Sequence, residues 1–295
     1  MTLSLIVNPF AGRGRAGRKL GEVEATLSGL GLEHHVEPTR SLSHARELAR
    51  AAAAAGETAV AFGGDGLIGA VADGLRDDDG VLGILPGGRG NDFARMLGIP
   101  RDVASACSVL VGGRERRLDL GRVDATTFIG IASCGFDSVA NRIANDTTFI
   151  AGNLVYVYGA LGALLRWRPA TFTIRLDDGA PRSVTGYTVV AANSRYYAGG
   201  MMMAPGAALE DGLLDVVIIA DMPKATFARR LPSVFRGRHG RYPQVEMLRG
   251  AKLEIAASRP FTVYADGDPI AELPATIRVL PAAVRAIVPA PPATT

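Results

Sequence analysis

The first third of the chain alternates continuous apolar runs with stretches whose apolar residues recur every three or four positions. Leu3-Ser4-Leu5-Ile6-Val7, Ala59-Val60-Ala61-Phe62 and Val81-Leu82-Gly83-Ile84-Leu85 have the form of strands buried on both faces. His34 to Thr39 reads as the end of another strand, on which His34 and His35 point to opposite faces and cannot share a metal. Ser43 to Ala55 is alanine-rich, a helix by propensity, and Leu67, Val71 and Leu75 mark a second helix by their spacing. Strand and helix alternating to about Gly112 predict a parallel, doubly wound sheet.

From Leu118 to Asp124 the pattern changes to shorter runs with hairpin turns, the mark of antiparallel β structure. Thr171 to Leu176 alternates cleanly, turns at Asp177-Asp178-Gly179 and returns through Tyr187 to Val190. Val216 to Ile219 and Phe261 to Tyr264 are further strands, and Leu154 to Trp167 reads as a helix or helical hairpin. No internal repeat stands out, and only the tail after Val288 is rich in Pro and Ala.

Composition changes this picture little. The 295 residues, 48% hydrophobic and 21% charged, suffice for a sizeable core and for two domains. A net charge of +3 suits an anionic ligand or a membrane surface and is far from a nucleic-acid signature. Cys107 and Cys134 lack metal-ligand spacing and suggest no disulfide framework. No run approaches the roughly 18 apolar residues of a membrane span, so a cytoplasmic protein able to touch the inner membrane face from outside is expected.

Candidate chemistry gathers where two of the buried strands end. Ala59-Phe62 runs into Gly63-Gly64-Asp65-Gly66, and Val81-Leu85 into Pro86-Gly87-Gly88-Arg89-Gly90, after which Asn91 or Asp92 can cap a short helix from Phe93 to Leu97. Glycines let the backbone approach a ligand closely or take positive φ, and a helix start favours phosphate. Two such turns at one end of a parallel sheet form a ligand crevice. Asp65 and Asp92, beside phosphates, call for a cation between, which favours Mg²⁺. No G-x-x-x-x-G-K-[ST] P-loop is present. Gly12-Arg13-Gly14-Arg15-Ala16-Gly17 matches the dinucleotide fingerprint G-x-G-x-x-G, with Glu33 or Glu37 at a suitable distance. Three arginines and a lysine crowd that segment, and a dehydrogenase would leave the Gly-Gly-Asp-Gly turn without a role.

The pair Gly-Gly-Asp-Gly and Leu-Pro-Gly-Gly-Arg-Gly-Asn-Asp-Phe-Ala-Arg resembles the diacylglycerol kinase family, in particular its bacterial lipid-kinase branch, and the resemblance covers almost the whole chain. It implies an α/β fold class with a three-layer parallel-sheet nucleotide-binding domain over residues 1–122. An antiparallel β-sandwich lipid-acceptor domain would follow over 123–280, and a tail, 281–295, would return to the first domain. ATP would lie in the α/β crevice and the acceptor would enter between the domains. The nucleotide contacts carried over are Asn8, Pro9, Phe10, Ala11 and Gly12 in the first loop, Thr39 after the second strand, Gly63, Gly64, Asp65, Gly66, Leu67, Ile68, Gly69 and Ala70 around the first glycine turn, and Arg89, Asn91 and Asp92 at the second.

Asp266-Gly267-Asp268 stands where the family carries Asp-Gly-Glu, so the resemblance makes Asp268 the proton acceptor for the lipid hydroxyl, one methylene shorter. From spacing alone the same segment is a hairpin turn. Leu209 to Asp215 resembles the family's second, structural Mg²⁺ site, which implies Asp211 with main-chain oxygens of Ala208 and Leu213; alone it reads as a solvated turn. The chain departs from the family at Leu67, at Gly69-Ala70 in place of an Asn-Glu pair, and at Arg89, which could pair with phosphate. Gly199 to Met203 suits an acyl-chain groove and Arg166-Trp167-Arg168 a membrane interface, although methionines and a lone tryptophan also fill cores.

The function so predicted is an ATP- and Mg²⁺-dependent lipid kinase acting on a neutral lipid presented at a membrane surface, with diacylglycerol giving phosphatidate. No nucleic acid is involved, and a homodimer stays open. An NAD kinase, which shares the Gly-Gly-Asp-Gly turn, and a catalytically silent nucleotide- or lipid-binding regulator are the alternatives.

Overall fold

The computed structural model describes residues 1–147 and 154–291, so the last four residues of the Pro/Ala-rich tail lie outside it. Two compact units emerge, one of Met1–Asp119 with the segment from Ala282, the other of Leu120–Pro281.

The first unit alternates β1 (Thr2–Val7), α1 (Ala11–Gly29), β2 (Glu33–Pro38), α2 (Leu42–Ala54), β3 (Thr58–Gly63), α3 (Asp65–Leu75), β4 (Val81–Pro86), α4 (Asp92–Met96) and α5 (Val103–Gly112), and β5 (Arg114–Val123) begins in it and runs on into the second. β2, β1, β3 and β4 pair in parallel in that order. β3 is buried along its whole length, as its continuous apolar run requires. α2 begins where the Ser41 hydroxyl accepts from the His44 amide, and it lays Ala45, Ala49 and Ala52 inward. A Cβ on Gly74 would lie 2.7 Å from the Arg46 carbonyl oxygen, so α2 and α3 touch where only glycine fits.

The second unit continues with β6 (Thr126–Phe128), β7 (Ile131–Gly135), α6 (Phe136–Asp146), α7 (Leu154–Arg166), β8 (Ala170–Leu176), β9 (Arg182–Ala192), the small ladder β10 (Tyr196–Tyr197) and β11 (Met201–Met202), β12 (Leu214–Ala220), α8 (Lys224–Arg230), β13 (Val245–Gly250), β14 (Lys252–Ala257), β15 (Thr262–Ala265), β16 (Asp268–Glu272) and β17 (Ala275–Val288). β9 belongs to two sheets. Its second half runs between β7 and β12, extending to β13 on one side and to β15 and β16 on the other. Its first half pairs β8, which continues through β14 to the start of β17. This is an antiparallel β-sandwich. An aromatic cluster fills it: Tyr187 stacks on Phe227 at 4.2 Å between centroids, and Phe136 meets Phe227 at 4.9 Å and Trp167 at 5.8 Å.

β17 starts in the second unit against β14 and ends in the first, where Arg285 and Ala286 pair parallel to β4. There Arg285 bonds Glu115 at 2.6 Å and the Asp79 carbonyl at 2.8 Å, and Asp119 accepts from the Ala282 amide at 2.7 Å.

The structure decides three local readings. The fingerprint glycines Gly12 to Gly17 lie inside α1 and not ahead of it, so they present no phosphate loop. Trp167 is 3% exposed in the sandwich core with the Arg259 guanidinium over its ring, which removes it from any membrane interface. Leu154–Arg166 is a single helix, the first of the two readings the sequence offers.

Candidate functional site

In the first unit the two glycine turns lie against each other. The Gly87 amide donates to the Gly63 carbonyl at 2.7 Å. A Cβ on Gly88 would stand 2.3 Å from the Gly64 Cα, and one on Gly64 would stand 3.3 Å from the Gly88 Cα. None of these turn glycines has positive φ. They are glycine because two backbones meet, not because the turn needs a left-handed residue, which corrects half of the sequence argument.

The left-handed position falls instead on Asn91, at φ 52°. Its side chain does not cap α4. It folds back on Gly88, accepting from that amide at 2.8 Å and donating to that carbonyl at 3.1 Å. The cap comes from the other turn, because the Asp65 carboxylate accepts from the Phe93 amide at 3.0 Å. Arg15 on α1 donates to the Gly88 carbonyl at 3.2 Å, and Arg101 to the Arg89 carbonyl at 3.3 Å. Arg89 itself is exposed beside the turn.

Asp65 and Asp92 converge. A Cβ on Gly90 would sit 3.3 Å from the Oδ2 of each. Asp65 opens the first turn of α3 and Asp92 that of α4. Two carboxylates brought that close favour a divalent cation between or beside them. Among the described residues no three acidic, histidine or cysteine side chains gather, so such a cation would complete its shell with phosphate oxygens and water.

Beyond Gly66 the sequence expectation is narrowed. Leu67, Ile68 and Ala70 are 3%, 0% and 3% exposed in the core, and the Leu67 and Ile68 amides bond the Gly64 carbonyl. Their side chains are packed in the core and hold α3 in place, while Gly69 is only partly buried on the same helix.

At the ends of β1 and β2 a cavity of about 870 Å³ is lined by Asn8, Pro9, Phe10, Thr39, Arg40 and His44, among others. Asn8 holds its own loop, accepting from the Phe10 amide at 3.0 Å, and leaves Phe10 83% exposed. The Thr39 amide bonds the Val7 carbonyl at 2.8 Å and its hydroxyl the Ser41 carbonyl at 2.7 Å. Ala11 and Gly12 open α1.

In the second unit, Asp266 and Gly267 take φ 51° and 98° in the tight turn between β15 and β16, and Asp268 pairs Ala265 across it. Asp266, to which the sequence assigns no separate role, is the anchor: its carboxylate accepts from the amides of Ile129, Gly130 and Ile131 at 2.8, 3.0 and 3.0 Å. Asn145 at the end of α6 donates to the Gly267 carbonyl at 3.0 Å. Asp268 stays exposed on this fixed turn, and partial desolvation raises its carboxyl above the ordinary 3.8. A carboxylate so raised is a better proton acceptor.

The Asp211 loop is differently furnished from what the resemblance implies. One Asp211 oxygen accepts from the Leu213 amide at 3.1 Å, and the other is paired with the Arg249 guanidinium. Arg249 stands directly opposite Asp215 on the β12–β13 ladder and reaches its carboxylate at 3.4 Å. Ala208 precedes this pair on an exposed-to-buried loop. Asp211 is thus engaged by Arg249 as folded, and a cation at this loop would have to displace that partly exposed ion pair.

The chain matches the diacylglycerol kinase catalytic domain over residues 2–123 and the YegS C-terminal NAD kinase beta sandwich-like domain over 130–288. It is 34% identical to a diacylglycerol kinase of Mycobacterium tuberculosis, across 97% of this chain and 95% of that one. A solved structure of a diacylglycerol kinase from Bacillus anthracis covers 100% of this chain and 98% of its own at 21% identity, with a TM-score of 0.75. An NAD kinase from Archaeoglobus fulgidus, solved in complex with ATP, shares the fold at a TM-score of 0.52 and 15% identity, over 97% of this chain and 93% of its own. Both domain matches and the curated relative agree with the paired glycine turns and the sandwich: the chain belongs to the diacylglycerol kinase family of lipid kinases.

Proposed function

We propose that the chain transfers the γ-phosphoryl group of ATP to a hydroxyl of a neutral lipid, converting diacylglycerol to phosphatidate with Mg²⁺ as cofactor. The observation that carries this reading is the meeting of two glycine turns with Asp65 and Asp92 converging beside them. The start of α3 and the close-packed glycines suit phosphate groups, which the α3 dipole favours. The cavity at Asn8, Phe10 and Thr39 suits the base and sugar, with the exposed Phe10 ring offering a face for stacking. Asp65 and Asp92 would hold Mg²⁺, which when bound neutralises charge on the phosphates. Arg89 is free of the core and suited to pair with a phosphate oxygen.

Asp268 would orient the lipid hydroxyl and take its proton. Partial desolvation raises its carboxyl above the ordinary 3.8, which makes its ionised form a better proton acceptor. A membrane-borne acceptor fits a chain in which, among the described residues, no helix is long and apolar enough to cross a bilayer.

The test is transfer of labelled γ-phosphate from ATP to an extracted lipid mixture, with and without Mg²⁺, and with soluble NAD as a parallel acceptor. A Mg²⁺-dependent phospholipid band supports the proposal and names the acceptor. Label on NAD alone, or ATP binding with no lipid product, overturns it. Asp268→Asn should lower kcat with little change in the ATP KM; full turnover in that variant removes Asp268 as the base.

A further inference from the structure

The turn that carries Asp268 is held from a distance. Ile129 and Gly130 link β6 to β7 and are buried, so each of their backbone groups needs a partner. On the amide side the partner is Asp266. Its carboxylate takes the amides of Ile129, Gly130 and Ile131, and its own amide returns to the Ile131 carbonyl at 3.1 Å. On the carbonyl side the partner is Asn193. Its side chain donates to the Ile129 carbonyl at 2.9 Å. Its backbone amide and that of Ser194 donate to the Gly130 carbonyl at 2.9 and 3.1 Å. A Cβ on Gly130 would run into the Asp266 Oδ1, so the segment passes between its two holders where only glycine fits.

Resting on the reading of Asp268 as the base, we propose that Asn193 is a positioning residue for phosphoryl transfer, setting through residues 129–131 the turn that presents Asp268. Asn193 is fully buried and stands on firm ground. It follows Ala192 at the end of β9, which pairs with Ile131 on one side and Asp215 on the other. From there the path has two steps: Asn193 fixes the carbonyls of the segment, and the amides of the segment fix Asp266, two residues before Asp268. A backbone held on one side only can rotate about the bonds it keeps; held on both it cannot. Truncating Asn193 strips the donor from the buried Ile129 carbonyl, and the segment turns to find another. Its amides then leave the line of the Asp266 carboxylate, and the turn moves with them. An aspartate has only two side-chain torsions, so the place of the Asp268 carboxylate follows the backbone closely.

The test is a double-mutant cycle on the full chain, read by transfer of labelled phosphate to lipid. Asn193→Ala should lower kcat about 30-fold with the ATP KM held within about twofold. In the Asp268→Asn background the same substitution should cost no more than about twofold, because the group it positions is already disabled. A residue that only supports the fold costs the same in both backgrounds; that result, or an unchanged kcat in Asn193→Ala, overturns the proposal. Hydrogen exchange gives a reading independent of turnover. In Asn193→Ala the amides of Gly130, Ile131 and Asp266 should exchange at least about tenfold faster relative to those of β14, and equal acceleration of both sets overturns the proposal. Asn193→Ser, a milder change, enters the same measurements if the alanine variant does not fold. A wild type without lipid turnover, or an Asp268→Asn protein with full turnover, sinks the kinase reading or the choice of base instead, and exchange still shows whether Asn193 holds the turn.

Discussion

The Asp65 carboxylate already gives one oxygen to the Phe93 amide, which leaves the other beside Gly90 and Asp92. Asparagine keeps an acceptor for that amide and removes the charge. Asp65→Asn should therefore hold its thermal midpoint within about 2 °C, while kcat/KM for MgATP falls about 100-fold; melting curves and a Mg²⁺-varied rate series check both halves. Asp266 offers the contrast, a carboxylate whose visible work is structural. Asp266→Ala strips the acceptor from three consecutive amides and should cost about 3 kcal/mol in urea unfolding. Asp137 makes a pH prediction. Its folded carboxyl titrates near 6 and the ordinary value is 3.8, so folding favours the neutral acid. That stabilisation is complete below about pH 4 and is lost as pH rises through about 6, a decline of up to about 3 kcal/mol. Urea melts across that window should show the decline in the wild type, and Asp137→Asn should flatten it.

At the level of elements, the two glycine turns are one device, because neither can hold a side chain where the other passes. Gly88→Ala drives a methyl to 2.3 Å from the Gly64 Cα and should lower stability by about 1–3 kcal/mol and weaken ATP binding with it. Gly66→Ala meets nothing within 4 Å and should fold at least as stably, so a thermal melt separates the two glycines of one motif. The strands that end in these turns are legible in the sequence because burial on both faces leaves a continuous apolar run. The turns are legible because glycine and aspartate are rare company at such ends. What stays hidden is contact between distant segments. Nothing in the local pattern joins Asp266 to residues 129–131, or gives the α4 cap to Asp65 while Asn91 folds onto Gly88. The fingerprint glycines in α1 mislead for the same reason, since spacing does not reveal on which side of a helix start they fall.

For the whole molecule, a nucleotide that binds only the folded first unit should raise the unfolding free energy by about 2.7 kcal/mol at a hundredfold excess over its Kd. Thermal melts with MgATP should show that rise, and EDTA should remove most of it if Asp65 and Asp92 share the cation. β17 carries a different consequence, one of timing. Its final residues complete the parallel sheet beside β4, although nearly the whole sandwich separates them in the chain from the strands they join. As the polypeptide leaves the ribosome, β4 must therefore wait with an unclaimed edge until residue 286 has emerged. The unit read first is the one finished last, and a nascent chain stalled before Arg285 would carry a complete sandwich but a parallel sheet still open to wrong partners.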